Sequence, residues 1–311
     1  MHLQENKVVH NSVHPMPFVS VIVPVYNDEE RIGDCINSLL CQTYPKDRYE
    51  IIVVDNGSTD GTLKSVSNYQ GIKILSENNI QSSYAARNMG IGHAKGEIIA
   101  FTDADCIAME DWIEKGVSVM VKNPGCGLAG GRITLFFKDP DRPTAAELYE
   151  SVTNFRQRED IEIYKFASTA NAFTYKKIFD KTGLFNEKLK SGGDNEWGRR
   201  VHMFGYSQLY MHETCVFHPA RHTLAQLRSR MVRLVGGNYD QRKNDFQIIK
   251  KWSHSIRDAV SLMVRGILGL RPADGLRGLV PRSKFVYACF FIELVRISER
   301  ARLIAGGKAQ R

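Results

Sequence analysis

Ile98-Ile99-Ala100-Phe101-Thr102-Asp103-Ala104-Asp105 is the stretch on which the fold turns. Its first four side chains are apolar and the run is too short for a core helix, so Glu97–Phe101 reads as a buried strand. Aspartates at the end of such a strand are expensive, because a buried carboxylate must be paired or hold a cation. An Asp-x-Asp there offers hard oxygen ligands suited to Mg2+ or Mn2+, which in turn can hold a diphosphate.

Working outward, the chain before this stretch alternates strand and helix. Val19–Val25 is β-branched and short, a strand. Asn27 reads as a helix N-cap with Glu30 in capping-box position, ahead of Ile32, Ile36, Leu39 and Leu40 at helical spacing. Glu50–Val54 is a second strand ending at Asp55, followed by a loop around Ser58-Thr59-Asp60 between Gly57 and Gly61. Ile72–Leu75 is a third strand and Ser82–Ala94 a helix. Such alternation implies a mostly parallel α/β sheet with right-handed crossovers, which binds ligands at the carboxyl ends of its strands. Tyr26, Asp55 and Asp103 all fall on that edge.

Beyond residue 125 the pattern loosens. Strands are expected over Arg132–Phe137 and Ala167–Tyr175, the latter returning to the sheet. Helices are expected over Lys176–Thr182 and Glu196–Phe204, and over a segment capped by Thr223 with Leu224, Leu227, Met231 and Leu234 on one face. A second acidic cluster, Gly192-Gly193-Asp194-Asn195-Glu196-Trp197, supplies a carboxylate able to act as a base. Metal, diphosphate and base together suggest group transfer from a nucleotide-activated donor.

Three segments are expected: a disordered lead at 1–17, a catalytic domain at 18–237 ending at Gly236-Gly237, and a basic helical region at 238–311. From Asp240 to Arg311 there are 15 Lys/Arg against 6 Asp/Glu, more than the whole net charge of +8. Ile256–Leu270 and Lys284–Ile304 read as amphipathic helices, the second carrying Arg296, Arg300 and Arg302. They fit a membrane interface, or a packed subdomain or homodimer contact instead. No run reaches the roughly 20 apolar residues of a spanning helix. The six cysteines form no C-x-x-C, which argues against zinc and for a reduced, cytoplasmic setting. Nucleic acid is a poor partner for the basic tail, which lacks interleaved aromatic platforms.

Five motifs in order resemble those of the family 2 glycosyltransferases of GT-A fold, over roughly residues 18–220. Pro24-Val25-Tyr26-Asn27 resembles P-x-Y-N, and Val53-Val54-Asp55-Asn56-Gly57-Ser58-Thr59-Asp60 resembles V-V-D-[DN]-G-S-x-D. Ala86-Arg87-Asn88-Met89-Gly90 resembles A-R-N-x-G, and Asp103-Ala104-Asp105 the D-x-D. Gly192-Gly193-Asp194-Asn195-Glu196 resembles G-G-E-D-x-D, with Gly193 where the family has an acid.

The resemblance implies an inverting, metal-dependent enzyme that moves a sugar from a nucleotide sugar, expected to be a UDP-sugar, to a glycan or lipid-linked acceptor in cell-surface polysaccharide synthesis. Pro24, Tyr26, Asp55, Arg87 and Asp103 would bind the donor nucleotide, with Tyr26 stacked on the base and Asp55 on its N3–H. Asp105 and Asp103, with His218, would hold Mn2+ or Mg2+. Asp194 would be the general base and Glu196 the alternative. Trp197 would be a stacking platform for the acceptor. The absence of Q-x-x-R-W argues for single-sugar addition, on the inner face of the cytoplasmic membrane. A sugar-phosphate nucleotidyltransferase is disfavoured because Pro24–Glu30 contains neither Gly nor Lys; an inactive membrane scaffold is disfavoured by the intact acids.

Overall fold

A computed structural model describes residues 16–189, 191–242, 264 and 276–309. In chain order its elements are β1 Val19–Val25, α1 Ile32–Leu40, β2 Tyr49–Asp55, α2 Thr62–Ser67, β3 Ile72–Ser76, α3 Ser83–His93 and β4 Ile98–Thr102. Then come β5 Ile107–Ala108, α4 Trp112–Lys122, β6 Cys126–Phe136, α5 Ala145–Thr153, α6 Gln157–Glu162, β7 Asn171–Tyr175 and α7 Ile178–Thr182. The remainder is α8 Gly193–Met203, β8 Ser207–Pro219, α9 Leu224–Arg242 and a C-terminal helix, Leu279–Ile304.

The strands form one eight-stranded sheet in the order β3-β2-β1-β4-β7-β6-β8-β5. β3, β2, β1 and β4 are mutually parallel, as the strand–helix alternation requires. β7 returns antiparallel between β4 and β6, and β8 runs parallel to β6. Every residue of β1 is buried because helices cover both faces of the sheet. One face packs Val21, Val23 and Ala100 on Ile36, Leu39 and Trp112; the other packs Ile22, Ile99 and Phe101 on Ala86, Ile91 and Trp197. Truncating one of the large aromatics here costs roughly 3–5 kcal/mol.

Three expectations fail for physical reasons. Asn27 is not the cap of α1, which begins at Ile32 without a side-chain cap. Its backbone is left-handed (φ 48°) and its Oδ1 accepts the Thr59 amide N–H at 2.8 Å, so it joins the loop after β1 to the loop after β2. Gly236-Gly237 does not end a domain but lies inside α9. A Cβ at Gly237 would stand 2.9 Å from the Ser191 Cβ, so the glycine allows α9 to press on the loop leading into α8. Nor does the C-terminal helix stand apart from the chain before 237. Phe285, Ala288 and Ile292 of the C-terminal helix share a core with Leu148 and Tyr149 of α5 and with Leu227 and Met231 of α9. The helix expected over Ile256–Leu270 lies outside the described residues, apart from Val264.

Candidate active site

β1 and β4 end side by side, and the loops leaving them open a cleft of about 830 Å3. Pro24, Tyr26 and Asp28 line it from the first loop, Asp103 and Asp105 from the second. Arg87 of α3, Asp194 of α8 and His218 of β8 complete a polar centre. Seven of the expected site residues therefore meet at one place: Pro24, Tyr26, Arg87, Asp103, Asp105, Asp194 and His218.

Each acid is held differently. Asp103 accepts from Arg87 Nη2 at 2.6 Å. The Arg87 guanidinium is buried and lies over the Tyr84 ring, 5.8 Å from its centroid. Asp105 divides its oxygens. Oδ2 meets Arg31 Nη1 at 3.2 Å and Oδ1 faces His218 Nε2 at 3.4 Å. His218 Nδ1 is 2.8 Å from the Pro219 carbonyl oxygen, which can only accept. Nδ1 therefore carries a proton, and in the neutral ring Nε2 presents a lone pair to the Asp105 carboxylate. Two lone pairs facing one another in a buried corner form a seat for a cation.

Asp105, His218 and Cys106 place one donor atom each within 4.8 Å of one another. Cys106 does not suit a hard cation: burial and the neighbouring Asp105 and Asp103 charges push its thiol well above its usual range. The residues fit Mn2+ or Mg2+ on Asp105 and His218, while Asp103, expected as a ligand too, is turned to Arg87 and is not one of that cluster.

Asp194 sits in the first turn of α8, behind Gly192 in the left-handed conformation (φ 78°). Burial raises its pKa; nearby Arg87 lowers it and Asp103 raises it again. The net upward shift moves a carboxylate toward the range of a useful base. Gly193 holds the place where the family has an acid, and a Cβ there would come 2.8 Å from the Tyr84 ring. Tyr84 fills the space that the missing side chain would need. Asp160 of α6, absent from the sequence reading, also lines the cleft; burial and then Asp194 raise its pKa to about 6.

Three expected residues stand elsewhere. Trp197 is only 1% exposed. Its ring stacks on Phe179 at 4.7 Å and its Nε1 donates to Thr182 Oγ1 at 3.1 Å, so it is a core aromatic rather than an acceptor platform. Glu196, three residues beyond Gly193, pairs with Arg200 Nε at 2.6 Å and does not line the cleft. Asp55 is buried and accepts the Gly57 amide N–H at 3.1 Å and the Ser58 amide N–H at 3.2 Å; it shapes the turn after β2 without lining the cleft.

Arginines are what the sequence reading missed. Arg221, just ahead of α9, and Arg230 and Arg233 within it line the same cleft. Arg221 Nη1 donates at 2.8 Å to Glu150, which is wholly buried, and Arg230 donates to Asn154 Oδ1 at 2.5 Å. Burial, then the neighbouring Arg221, lowers the pKa of Arg230 to about 10 and moves that of Arg233 the same way. The i, i+3 spacing of Arg230 and Arg233 was the only trace of this in the sequence.

Comparison with known proteins agrees with this geometry. The chain is 44% identical to the glycosyltransferase AglE of Haloferax volcanii over 210 residues, 66% of this chain and 68% of AglE. It is 38% identical to the poly(ribitol-phosphate) beta-N-acetylglucosaminyltransferase TarS of Staphylococcus aureus over 100 residues, 31% of this chain but only 17% of TarS. Among solved structures, the mannosyltransferase PcManGT of Pyrobaculum calidifontis, in complex with GDP-Man and Mn2+, is similar with a TM-score of 0.61 at 19% identity. That match covers 91% of this chain and 87% of PcManGT. Residues 1–349 of S. aureus TarS with UDP-GlcNAc are similar with a TM-score of 0.53 at 20% identity, over 94% of this chain and 93% of that one. Residues 20–183 match the family model for glycosyl transferase family 2. With more than half its length under that match and a shared GT-A fold, the chain belongs to glycosyl transferase family 2 and is a glycosyltransferase of glycan synthesis.

Proposed function

We propose that the protein is an inverting, metal-dependent transferase that moves one sugar from a UDP-sugar to a hydroxyl of a glycan or lipid-linked acceptor. The observation that carries this reading is the meeting of the Asp105–His218 seat, Asp103 and Asp194 in one cleft. Tyr26, 44% exposed at the end of β1, offers its ring to the base, with Pro24 beside it. Arg87 and Asp103 border the diphosphate. A Mn2+ or Mg2+ bound by Asp105 and His218 would supply charge neutralisation of the leaving diphosphate. Asp194 takes the proton of the acceptor hydroxyl as that oxygen bonds to the anomeric carbon. The bond from that carbon to the diphosphate oxygen breaks, and an α-donor gives a β-product.

The test is a panel of UDP- and GDP-sugars with Mn2+ or Mg2+, reading nucleoside diphosphate release and the anomeric configuration of the product. Turnover of one UDP-sugar with a β-product is expected. Turnover confined to GDP-sugars would overturn the base assignment, and an α-product the inverting step.

The same reading has the enzyme work peripherally at the inner face of the cytoplasmic membrane. Among the described residues no helix is long and apolar enough to cross a membrane. The C-terminal helix buries one side and leaves Tyr287, Phe290, Leu294 and Ile297 exposed, at spacings of three and four that put them on one stripe. Arg296 and Arg302 are less free than expected, since Arg296 pairs with Glu293 and Arg302 with Glu299. Apolar burial is therefore the main term, with roughly 1 kcal/mol for each basic residue left near anionic lipid. In liposome flotation, the double variant Phe290→Ser/Leu294→Ser should lose most membrane binding, while Arg302→Gln changes it little. Equal flotation of the double variant and wild type would instead leave that stripe to a homodimer contact.

A further inference from the structure

The cationic side of the cleft has no use in transfer to a neutral hydroxyl. Asp103 has Arg87, Asp105 has Arg31, and the buried Glu150 has Arg221. Arg233 is left over: it lines the cleft and makes no hydrogen bond or ion pair among the described residues. Its surroundings are Arg221, Tyr84, Asp103 and Asp194. A guanidinium withdrawn from water beside other guanidiniums is unfavourable unless an anion joins it, and three such forks suit the oxygens of a phosphoryl group. α9 is pressed into this position by the contact of Gly237 with Ser191, so the arrangement belongs to the fold rather than to a mobile side chain.

Resting on the proposed general base, we infer that Arg233, with Arg221 and Arg230, receives a phosphoryl group of the acceptor. The acceptor, not the donor, is assigned because, of the two acids near Arg233, Asp103 is taken by Arg87 and Asp194 stands where the attacking hydroxyl must be. The donor diphosphate would have its own partners in Arg87 and in a cation held by Asp105 and His218. These arginines also come after residue 183, beyond the segment that matches the family model. The acceptor is therefore an anionic molecule with a phosphate close to its reacting hydroxyl, whether a lipid phosphate or a phosphorylated glycan.

The test uses the full-length protein saturated with UDP and Mg2+, titrated with methyl phosphate by calorimetry. Methyl phosphate should bind the nucleotide-loaded protein. Arg233→Met should weaken it roughly ten- to a hundredfold, the scale of a lost charge-assisted contact, without changing UDP affinity. Arg233→Lys should recover part of it. Arg233 is chosen because removing Arg221 would strand the buried Glu150 and risk the fold. Competition between methyl phosphate and UDP would overturn the proposal by making the arginines a donor clamp. So would an Arg233→Met variant that binds as wild type. If UDP itself fails to bind, the donor reading falls; the same titration of nucleotide-free protein then decides the phosphate site alone. A second arm uses neutral phosphatidylcholine vesicles with and without a long-chain isoprenyl phosphate. Capture by the phosphate-bearing vesicles that depends on Arg233 assigns a lipid carrier, and binding in solution alone assigns a phosphorylated glycan.

Discussion

Asp194→Asn is expected to bind nucleotide as wild type does and to slow sugar transfer by roughly 10²–10⁴-fold, the usual scale for loss of a general base. Asparagine keeps the size and the local hydrogen bonding of the first turn of α8 but cannot take a proton. Glu196→Gln should retain most activity, since that carboxylate is turned to Arg200. A dead Glu196→Gln beside an active Asp194→Asn would reverse the assignment. Stability supplies an independent reading. The folded state raises the Asp194 pKa, chiefly by burial, so it disfavours the ionised form. The ionised carboxylate therefore costs stability, and that cost grows as pH rises through the raised pKa. At neutral pH Asp194→Asn should thus have a higher Tm than wild type, with the gap closing in acid. The rate of wild type should climb over the same pH interval, as the base loses its proton.

Asp105→Ala is expected to abolish both transfer and the binding of Mn2+, measured by calorimetry or electron paramagnetic resonance. The fold should survive, because Arg31 keeps Asp28 at 2.6 Å as a partner. His218→Ala should weaken the cation less, since it removes one neutral ligand and leaves the charge of Asp105. Cys106→Ser should leave affinity nearly unchanged, which separates a hard oxygen and nitrogen seat from a thiolate one. Full activity of Asp105→Ala in the presence of a chelator would sink the metal seat.

How far these residues could be read in advance differs by link. The parallel half of the sheet was legible because β1, β2 and β4 are short apolar runs, and α1 and α3 carry their own helical periodicity. Tyr26 and Asp103 followed, since each lies next to the end of such an element, and Arg87 followed as a residue inside α3. β8 was not legible. Its sequence, Ser207–Pro219, mixes His212, Glu213 and Thr214 with apolar residues, and its pairing with β6 carries irregularities at Cys126/Leu128 and Gly131/Arg132. The helices α4, α5 and α6 were not read either.

What the sequence determined by itself was local: the order of strands and helices, and the placing of acids at strand ends, because both follow from hydrophobic period and chain direction. Tertiary structure decided everything that depends on two distant segments meeting. Trp197 and Asp194 are three residues apart, yet one is buried among Phe179 and Phe185 while the other faces the cleft, because α8 turns its faces to different neighbours. His218 reaches Asp105 only because β8 ends where the loop after β4 does. Arg233 lines the cleft with Asp194 because α9 runs unbroken through Gly236 and Gly237 and packs on Ser191. A glycine pair reads locally as a break, but a buried helix tolerates it, since the packing gained by close approach outweighs roughly 1 kcal/mol of lost propensity at each position.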